Sequence, residues 1–210
     1  MQQGARPRLV LATHNPGKVG ELVALMASLG VETERIELMT LRDLPGHALP
    51  EEDGSTYAEN ALIKARAAAR ASGAWALADD SGVAVDALGG RPGVHSARWA
   101  GPEATPAENN AKLLREMEGV PPGARGATFH AALALVAPDG REWVATAETR
   151  GRILEAPRGE NGFGYDPLFL LPELGKTYAE LEGEEKNRYS HRGAAMRALV
   201  PVLRRQLLGC

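Results

Sequence analysis

The chain is poor in cysteine, aromatic rings, lysine and long apolar runs, and each shortage removes a class of explanation. One cysteine, Cys210, among 210 residues can form neither an intramolecular disulfide nor a multi-cysteine zinc site, and it fits a reducing cytoplasm. Three Trp, four Tyr and three Phe supply too few rings for a base-stacking surface of the single-strand-binding type. Met1 to Pro7 carry one arginine and lead into only about six apolar positions, short of the roughly 7–15 of a signal core or the roughly 20 of a spanning helix. Neither export nor membrane anchoring is expected. Positive charge is not in excess either: 24 Lys and Arg face 27 Asp and Glu, for a net charge of −3. A broad cationic surface for nucleic acid is therefore not expected, and an anionic ligand must be held locally. Only five of the cations are lysines, at positions 18, 64, 112, 176 and 186.

What remains is ordinary globular composition, 44% hydrophobic and 24% charged, with enough length for one domain or two small lobes sharing a core. Arg8 to Thr13 reads as a strand, after which Asn15, Pro16 and a helical run to Gly30 predict a capped helix. A second strand is expected over Thr33 to Met39, followed by a Leu44-Pro45-Gly46 turn and the acidic loop Glu51 to Gly54. Thr56 with Glu59 forms a capping box opening an Ala-rich helix that Gly73 stops. Trp75 to Ala78 predicts a strand running out into Asp79-Asp80-Ser81-Gly82, with Val83 to Val85 beyond. Thr105-Pro106 starts another helix, Pro138-Asp139-Gly140 turns a hairpin, and Ser190 caps a last helix that Pro201 should kink or split. Strands alternating with helices and then a hairpin predict an α/β mixed sheet with flanking helices.

Several signatures fail. Gly175-Lys176-Thr177 lacks the first glycine of a phosphate-binding loop, and Gly162-Phe163-Gly164 lacks the third glycine of a dinucleotide fingerprint. No Gly-x-Ser-x-Gly elbow surrounds Ser81 and no His-x-x-x-His pair occurs. The surviving candidates are charged turns. Thr13-His14-Asn15-Pro16-Gly17-Lys18 places a hydroxyl, an amide and an ammonium at a helix start, where an anion is favoured; a simple cap with a solvated lysine is the competing reading. Glu51-Glu52-Asp53 and Asp79-Asp80 supply hard oxygen ligands of the kind that hold Mg²⁺ together with phosphates and water. Strand periodicity points Asp79 and Asp80 to opposite faces, so only one of them should reach a given ligand. Gly159 to Pro167 combines glycines, two rings and an acid, and the Glu185 to Gly193 stretch gathers cations and a histidine at a helix start.

In order along the chain, Thr13-x-Asn15-x-x-Lys18, Gly54-x-Thr56-Tyr57-x-Glu59-Asn60-Ala61-x-x-Lys64-Ala65, Ala78-Asp79-Asp80-Ser81-Gly82, Leu88-Gly89-Gly90-x-Pro92-Gly93-x-x-Ser96-Ala97-Arg98, Gly162-Phe163-Gly164-Tyr165-Asp166-Pro167 and Ser190-His191-Arg192-Gly193 closely resemble the inosine triphosphate pyrophosphatase, or Ham1-like, family. The resemblance implies one domain over residues 1–210, an elongated mixed sheet with two lobes around a central nucleotide-binding cleft. It implies a cytoplasmic homodimer that hydrolyses dITP, ITP and XTP to the monophosphate and pyrophosphate with Mg²⁺, without nucleic-acid or membrane partners. The Thr13 to Lys18 turn (Thr13, His14, Asn15, Pro16, Gly17 and Lys18) with Lys64 would bind the triphosphate. Glu52 and Asp80 would hold the metal, with Asp80 also the catalytic proton acceptor and Ser81 beside it in the substrate site. Phe163 would stack on the base, Gly164, Tyr165 and Asp166 would line the same pocket, and Lys186, His191 and Arg192 would read the purine edge. Arg192 is the candidate donor to the 6-oxo group. His14 stands where many relatives carry glycine or another small residue. The alternatives are a Maf-like pyrophosphatase for other modified nucleotides and a nucleotide-binding module without turnover.

Overall fold

A computed structural model describes residues 6–44 and 50–209; the expected Pro45-Gly46 turn and Cys210 lie outside them. Strand β1 (Arg8–Leu11) is followed by α1 (Pro16–Ser28), β2 (Glu37–Thr40), α2 (Tyr57–Ser72) and β3 (Trp75–Val85). Helix α3 (Pro106–Glu116), the hairpin strands β4 (Gly126–Val136) and β5 (Glu142–Ile153), and the short β6 (Phe169–Leu171) and β7 (Lys176–Thr177) come next, then α4 (Gly183–Tyr189) and α5 (His191–Leu203). The seven strands form one open sheet in the order β2-β1-β3-β4-β5-β6-β7. β1 is parallel to β2 and β3, while β5, β6 and β7 pair antiparallel, so the sheet is mixed. Among the described residues no helix is long and apolar enough to cross a membrane.

Local chemistry sets the helix limits. Asn15 caps α1 behind Pro16, Thr56 and Glu59 close a reciprocal box on α2, and Thr105 and Glu108 do the same on α3. Gly73 ends α2 at φ 61°, a left-handed turn that a residue with a Cβ adopts only at a cost. Two expectations need correction. The second strand is shorter than expected, because Thr33 to Arg35 form a 3₁₀ turn before β2 begins at Glu37. Pro201 does not split α5: the helix runs on to Leu203 and then widens into a π-helical turn over Arg204–Leu208. Burial of Ala195, Met196, Leu199, Val200 and Leu203 compensates for the lost N–H bond.

The chain divides into two compact units. Residues 1–80, 132–146 and 195–210 make the first, and residues 81–131 and 147–194 the second. In the first, Ala61, Ala65, Ala68 and Ala69 of α2 pack on Val10, Ala12, Ala76, Ala78, Ala132, Ala134 and Val136. These small residues bring the helix axis close to the strands. Leu9, Leu11 and Leu77 alternate with that set and are buried on the opposite face. In the second unit Phe129, Phe169 and Tyr178 form an aromatic core with Val83, Val85, Leu113, Met117 and Ile153.

Candidate active site

The first group of candidate residues belongs to the first unit. Thr13 leaves β1, and its hydroxyl oxygen accepts the Asn15 N–H at 3.2 Å. Asn15 Oδ1 accepts the N–H groups of Gly17 at 2.9 Å and Lys18 at 3.3 Å, so the first turn of α1 is closed by its own cap. His14, Asn15 and Pro16 are exposed at this turn. Lys18 is not solvated as a plain cap would leave it: its Nζ lies 2.7 Å from Asp79 Oδ2, and Asp79 is fully buried. One α2 turn after Asn60, Lys64 Nζ lies 2.8 Å from Glu52 Oε1 and 2.9 Å from Asp80 Oδ1. The two adjacent acids thus meet lysines from different helices, as the alternation of side chains along a strand requires.

These acids are not at the end of a strand, as expected, but in the middle of β3, which runs unbroken through Ser81 and Gly82 to Val85. Pairing with the two lysines is what lets carboxylates sit inside a buried strand, since an isolated buried charge would be prohibitive. Asn60 completes the arrangement. Its Nδ2 donates to Asp80 Oδ2 at 3.3 Å, while its Oδ1 accepts the Gly54 N–H at 2.9 Å. That second bond ties the acidic loop to α2 two residues after Glu52.

The second group belongs to the second unit. Asp166 Oδ2 accepts from the Phe163 N–H at 2.8 Å and from Lys186 Nζ at 2.7 Å. Lys186 Nζ lies 5.0 Å and Arg192 Cζ 5.6 Å from the centre of the Phe163 ring, and Arg192 Nη2 donates to Ser81 Oγ at 2.8 Å. Lys186 and Arg192 are both buried, which is rare for cations and requires partners of this kind, and His191 is buried with them. Ser190 Oγ accepts the Gly193 N–H at 3.0 Å, giving α5 the expected cap. Gly162 has φ 73°, and a Cβ there would land on Asp166 Oδ2. Gly193 faces the Asn187 carbonyl so closely that a Cβ would overlap its oxygen.

Two candidates point elsewhere than a ligand surface. Tyr165 is in the aromatic core with its hydroxyl donating to the Ser96 carbonyl at 2.8 Å. The His191 ring stacks on Phe129, with centroids 4.6 Å apart and planes 4° from parallel.

A model described as the Ham1 family matches residues 9–202, a span that takes in both groups. The chain belongs to the Ham1 family. It is 55% identical to a dITP/XTP pyrophosphatase of Geobacillus kaustophilus over 191 residues, covering 91% of each chain. A second dITP/XTP pyrophosphatase, from Thermus thermophilus, is 53% identical, with 92% of this chain and 90% of the relative covered. Among solved structures, a HAM1 protein from Coxiella burnetii superposes with a TM-score of 0.80 at 41% identity, over 94% of this chain and 98% of that one.

The electrostatics of the first group in this Ham1 chain are set by burial. Loss of water pushes the Asp80 carboxyl above the ordinary carboxylate range, although Lys64 and Lys18 pull it down. Burial also works against the Lys64 ammonium, but Asp80 and Glu52 outweigh it and hold its pKa above the ordinary lysine value. Among the described residues no cluster of three or more His, Cys, Asp or Glu could hold a metal alone. Glu52 and Asp80, converging on Lys64, fit a hard cation that takes one or two carboxylates and completes its shell with phosphate oxygens and water. Sequence reasoning gave no role to Asn60, whose signal was its position four residues before Lys64, hence on the same helix face. It also missed Asn110, which donates to the Gly164 carbonyl at 3.0 Å.

Proposed function

We propose that this chain hydrolyses the non-canonical purine nucleotides dITP, ITP and XTP to the nucleoside monophosphate and pyrophosphate, removing deaminated purines from the nucleotide pool. The observation that carries the reading is the partly buried Glu52–Lys64–Asp80 arrangement, with both ion pairs under 3 Å, in a chain about half identical to dITP/XTP pyrophosphatases along nearly its whole length. Residues 1–210 act as one ITPase-like domain, as a cytoplasmic homodimer.

In this reading Thr13, Asn15, Lys18 and Lys64 take the triphosphate, and Glu52 and Asp80 hold Mg²⁺ with it. The cation, when bound, neutralises charge on the phosphate oxygens. Asp80 orients a water and accepts its proton as the oxygen adds to the α-phosphorus. The anhydride bond to the β-phosphate breaks, and pyrophosphate leaves with the electron pair. Lys64 and Asn60, one on each carboxylate oxygen, fix the orientation of Asp80 for that proton. Lys18 and Lys64 meet the charge that develops on the leaving group. No covalent intermediate is needed.

Phe163 offers its ring to the base, while Lys186 and Arg192, held near that ring by Asp166 and Ser81, present donors. Donors suit a 6-oxo group and reject a 6-amino group, which would leave them unpaired at a cost of about 1–3 kcal/mol each. The test is incubation with ITP, XTP, dITP, ATP, GTP and dTTP in Mg²⁺, with the released phosphate identified. Monophosphate and pyrophosphate from the first three are expected; orthophosphate alone, or ATP cleaved as fast as ITP, overturns the reading.

A further inference from the structure

The lysines of the first group are already engaged. Lys18 is held by Asp79, and Lys64 by Glu52 and Asp80, so two ammonium groups face three carboxylates. Taken alone, that cluster would repel a polyanion. A cavity of about 210 Å³ in the same unit is different in character. Thr13, His14, Thr40 and Arg42 line it together with the apolar Pro16, Val19 and Leu41. His14 and Arg42 are exposed, and neither has a hydrogen-bond or ion-pair partner among the described residues. Asp43, the nearest acid in sequence, spends its carboxylate on the N–H and hydroxyl of Thr40 at 2.7 and 3.0 Å and does not line the cavity. The volume is below the roughly 300–1,000 Å³ of pockets that enclose a whole drug-sized ligand, which suits a phosphate or diphosphate better than a nucleotide.

We infer that this cavity is an anion subsite that receives the leaving pyrophosphate, with Arg42 as its cation and His14 and the Thr13 hydroxyl as its donors. The assignment rests on the pyrophosphatase reading above. Thr13 belongs both to the phosphate turn and to the cavity wall, so a terminal phosphate held at the turn needs no long displacement to meet Arg42. A guanidinium suits this task because its planar donor fork matches two phosphate oxygens at once. The same feature accounts for His14: an imidazole adds a donor where a glycine adds none. The subsite favours triphosphates over monophosphates and makes pyrophosphate a product that competes for release.

Calorimetric titration of the full chain with inorganic pyrophosphate, in chelator and without nucleotide, tests this independently of turnover. Arg42→Ala is expected to weaken pyrophosphate binding roughly tenfold, the low end for a charge-assisted hydrogen bond, with Arg42→Lys between it and the native chain. Pyrophosphate inhibition of ITP hydrolysis should weaken in parallel, while inhibition by inosine monophosphate moves less than about twofold. Arg66→Gln, which deletes an equal charge from the exposed Arg66–Glu142 pair, is the control. Equal effects of Arg42→Ala and Arg66→Gln, or unaltered pyrophosphate binding in Arg42→Ala, overturn the subsite. If pyrophosphate binding shows the expected pattern but no ITP is hydrolysed, the activity reading fails and the anion site stands.

Discussion

Asp79 and Asp80 are chemically identical neighbours, and their environments predict opposite consequences when each is replaced by asparagine. Asp79 is fully buried and faces Lys18 at 2.7 Å. Removing one member of a buried pair typically costs about 3–5 kcal/mol. The Lys18 side chain is 16% exposed, so its ammonium can reach water, and the amide keeps an accepting oxygen; about 2–3 kcal/mol is the better figure. At roughly 2–4 °C per kcal/mol for a chain of this size, Asp79→Asn should lower the melting temperature by about 4–12 °C. Asp80→Asn leaves Lys64 with Glu52 at 2.8 Å. It also removes a carboxylate whose ionised form burial already disfavours, so stability should change by less than about 1 kcal/mol. Turnover should invert the order. Loss of the proposed base costs about 10²–10⁴-fold, whereas Asp79→Asn, which only frees the lysine, should cost less than about tenfold. Thermal melts and pyrophosphate release from ITP, measured on both variants, decide the matter. Equal losses of turnover, or a melting temperature that falls further for Asp80→Asn, would refute the reasoning.

Other expectations follow from the same contacts. Arg192→Ala should narrow the preference for ITP over ATP by about 1–3 kcal/mol, roughly 5–150-fold, read as a ratio of kcat/KM; an unchanged ratio removes Arg192 as the donor. Gly162→Ala must accommodate a Cβ at φ 73° against Asp166, so it should cost about 1–3 kcal/mol and raise the KM for ITP more than it lowers kcat. Gly193→Ala should separate α4 from the start of α5, because its Cβ meets the Asn187 carbonyl; a melting temperature within about 2 °C of native would contradict that. Burial pushes the hydroxyls of Tyr165 and Tyr178 well above the ordinary tyrosine value. Above about pH 10 the unfolded chain therefore loses these protons while the folded chain keeps them, and stability should fall by about 1.4 kcal/mol per pH unit for each tyrosine. Urea midpoints between pH 9 and 11 should register the decline, to which the buried Tyr57 hydroxyl adds in the same direction, and Tyr165→Phe should make it shallower.

Much of the fold was legible because its determinants are local. Asn15, Thr56 with Glu59, Thr105 with Glu108, and Gly73 mark helix ends through bonds that span four residues or fewer, and such bonds can be read from spacing alone. The hairpin turn at Pro138-Asp139-Gly140 is local in the same sense. Periodicity also separated Asp79 from Asp80, since alternation along a strand is a property of the backbone. Where local signals and packing disagree, packing prevails. Pro201 is a helix breaker on its own, yet the buried apolar face of α5 carries the helix past it. Two acids and a glycine look like the end of a strand, yet β3 continues because lysines from α1 and α2 neutralise the acids.

The candidate residues divide along the same line. Which residue types matter was visible in six ordered strings, because phosphate and purine recognition needs particular groups and the chain has few lysines to offer. Two of its five lysines, Lys18 and Lys64, fall in those strings. Which lysine faces which acid was not visible, nor was the role of Asn60 in tying the Glu52 loop to α2, nor that Tyr165 and His191 turn into the aromatic core. Those outcomes depend on contacts that close only in the folded chain, from six residues apart for Asn60 with Gly54 to 111 for Arg192 with Ser81. The amino-acid order determines the chemistry available and the local turns that present it, while charge partners, burial and the resulting proton affinities exist only once distant segments pack and exclude water.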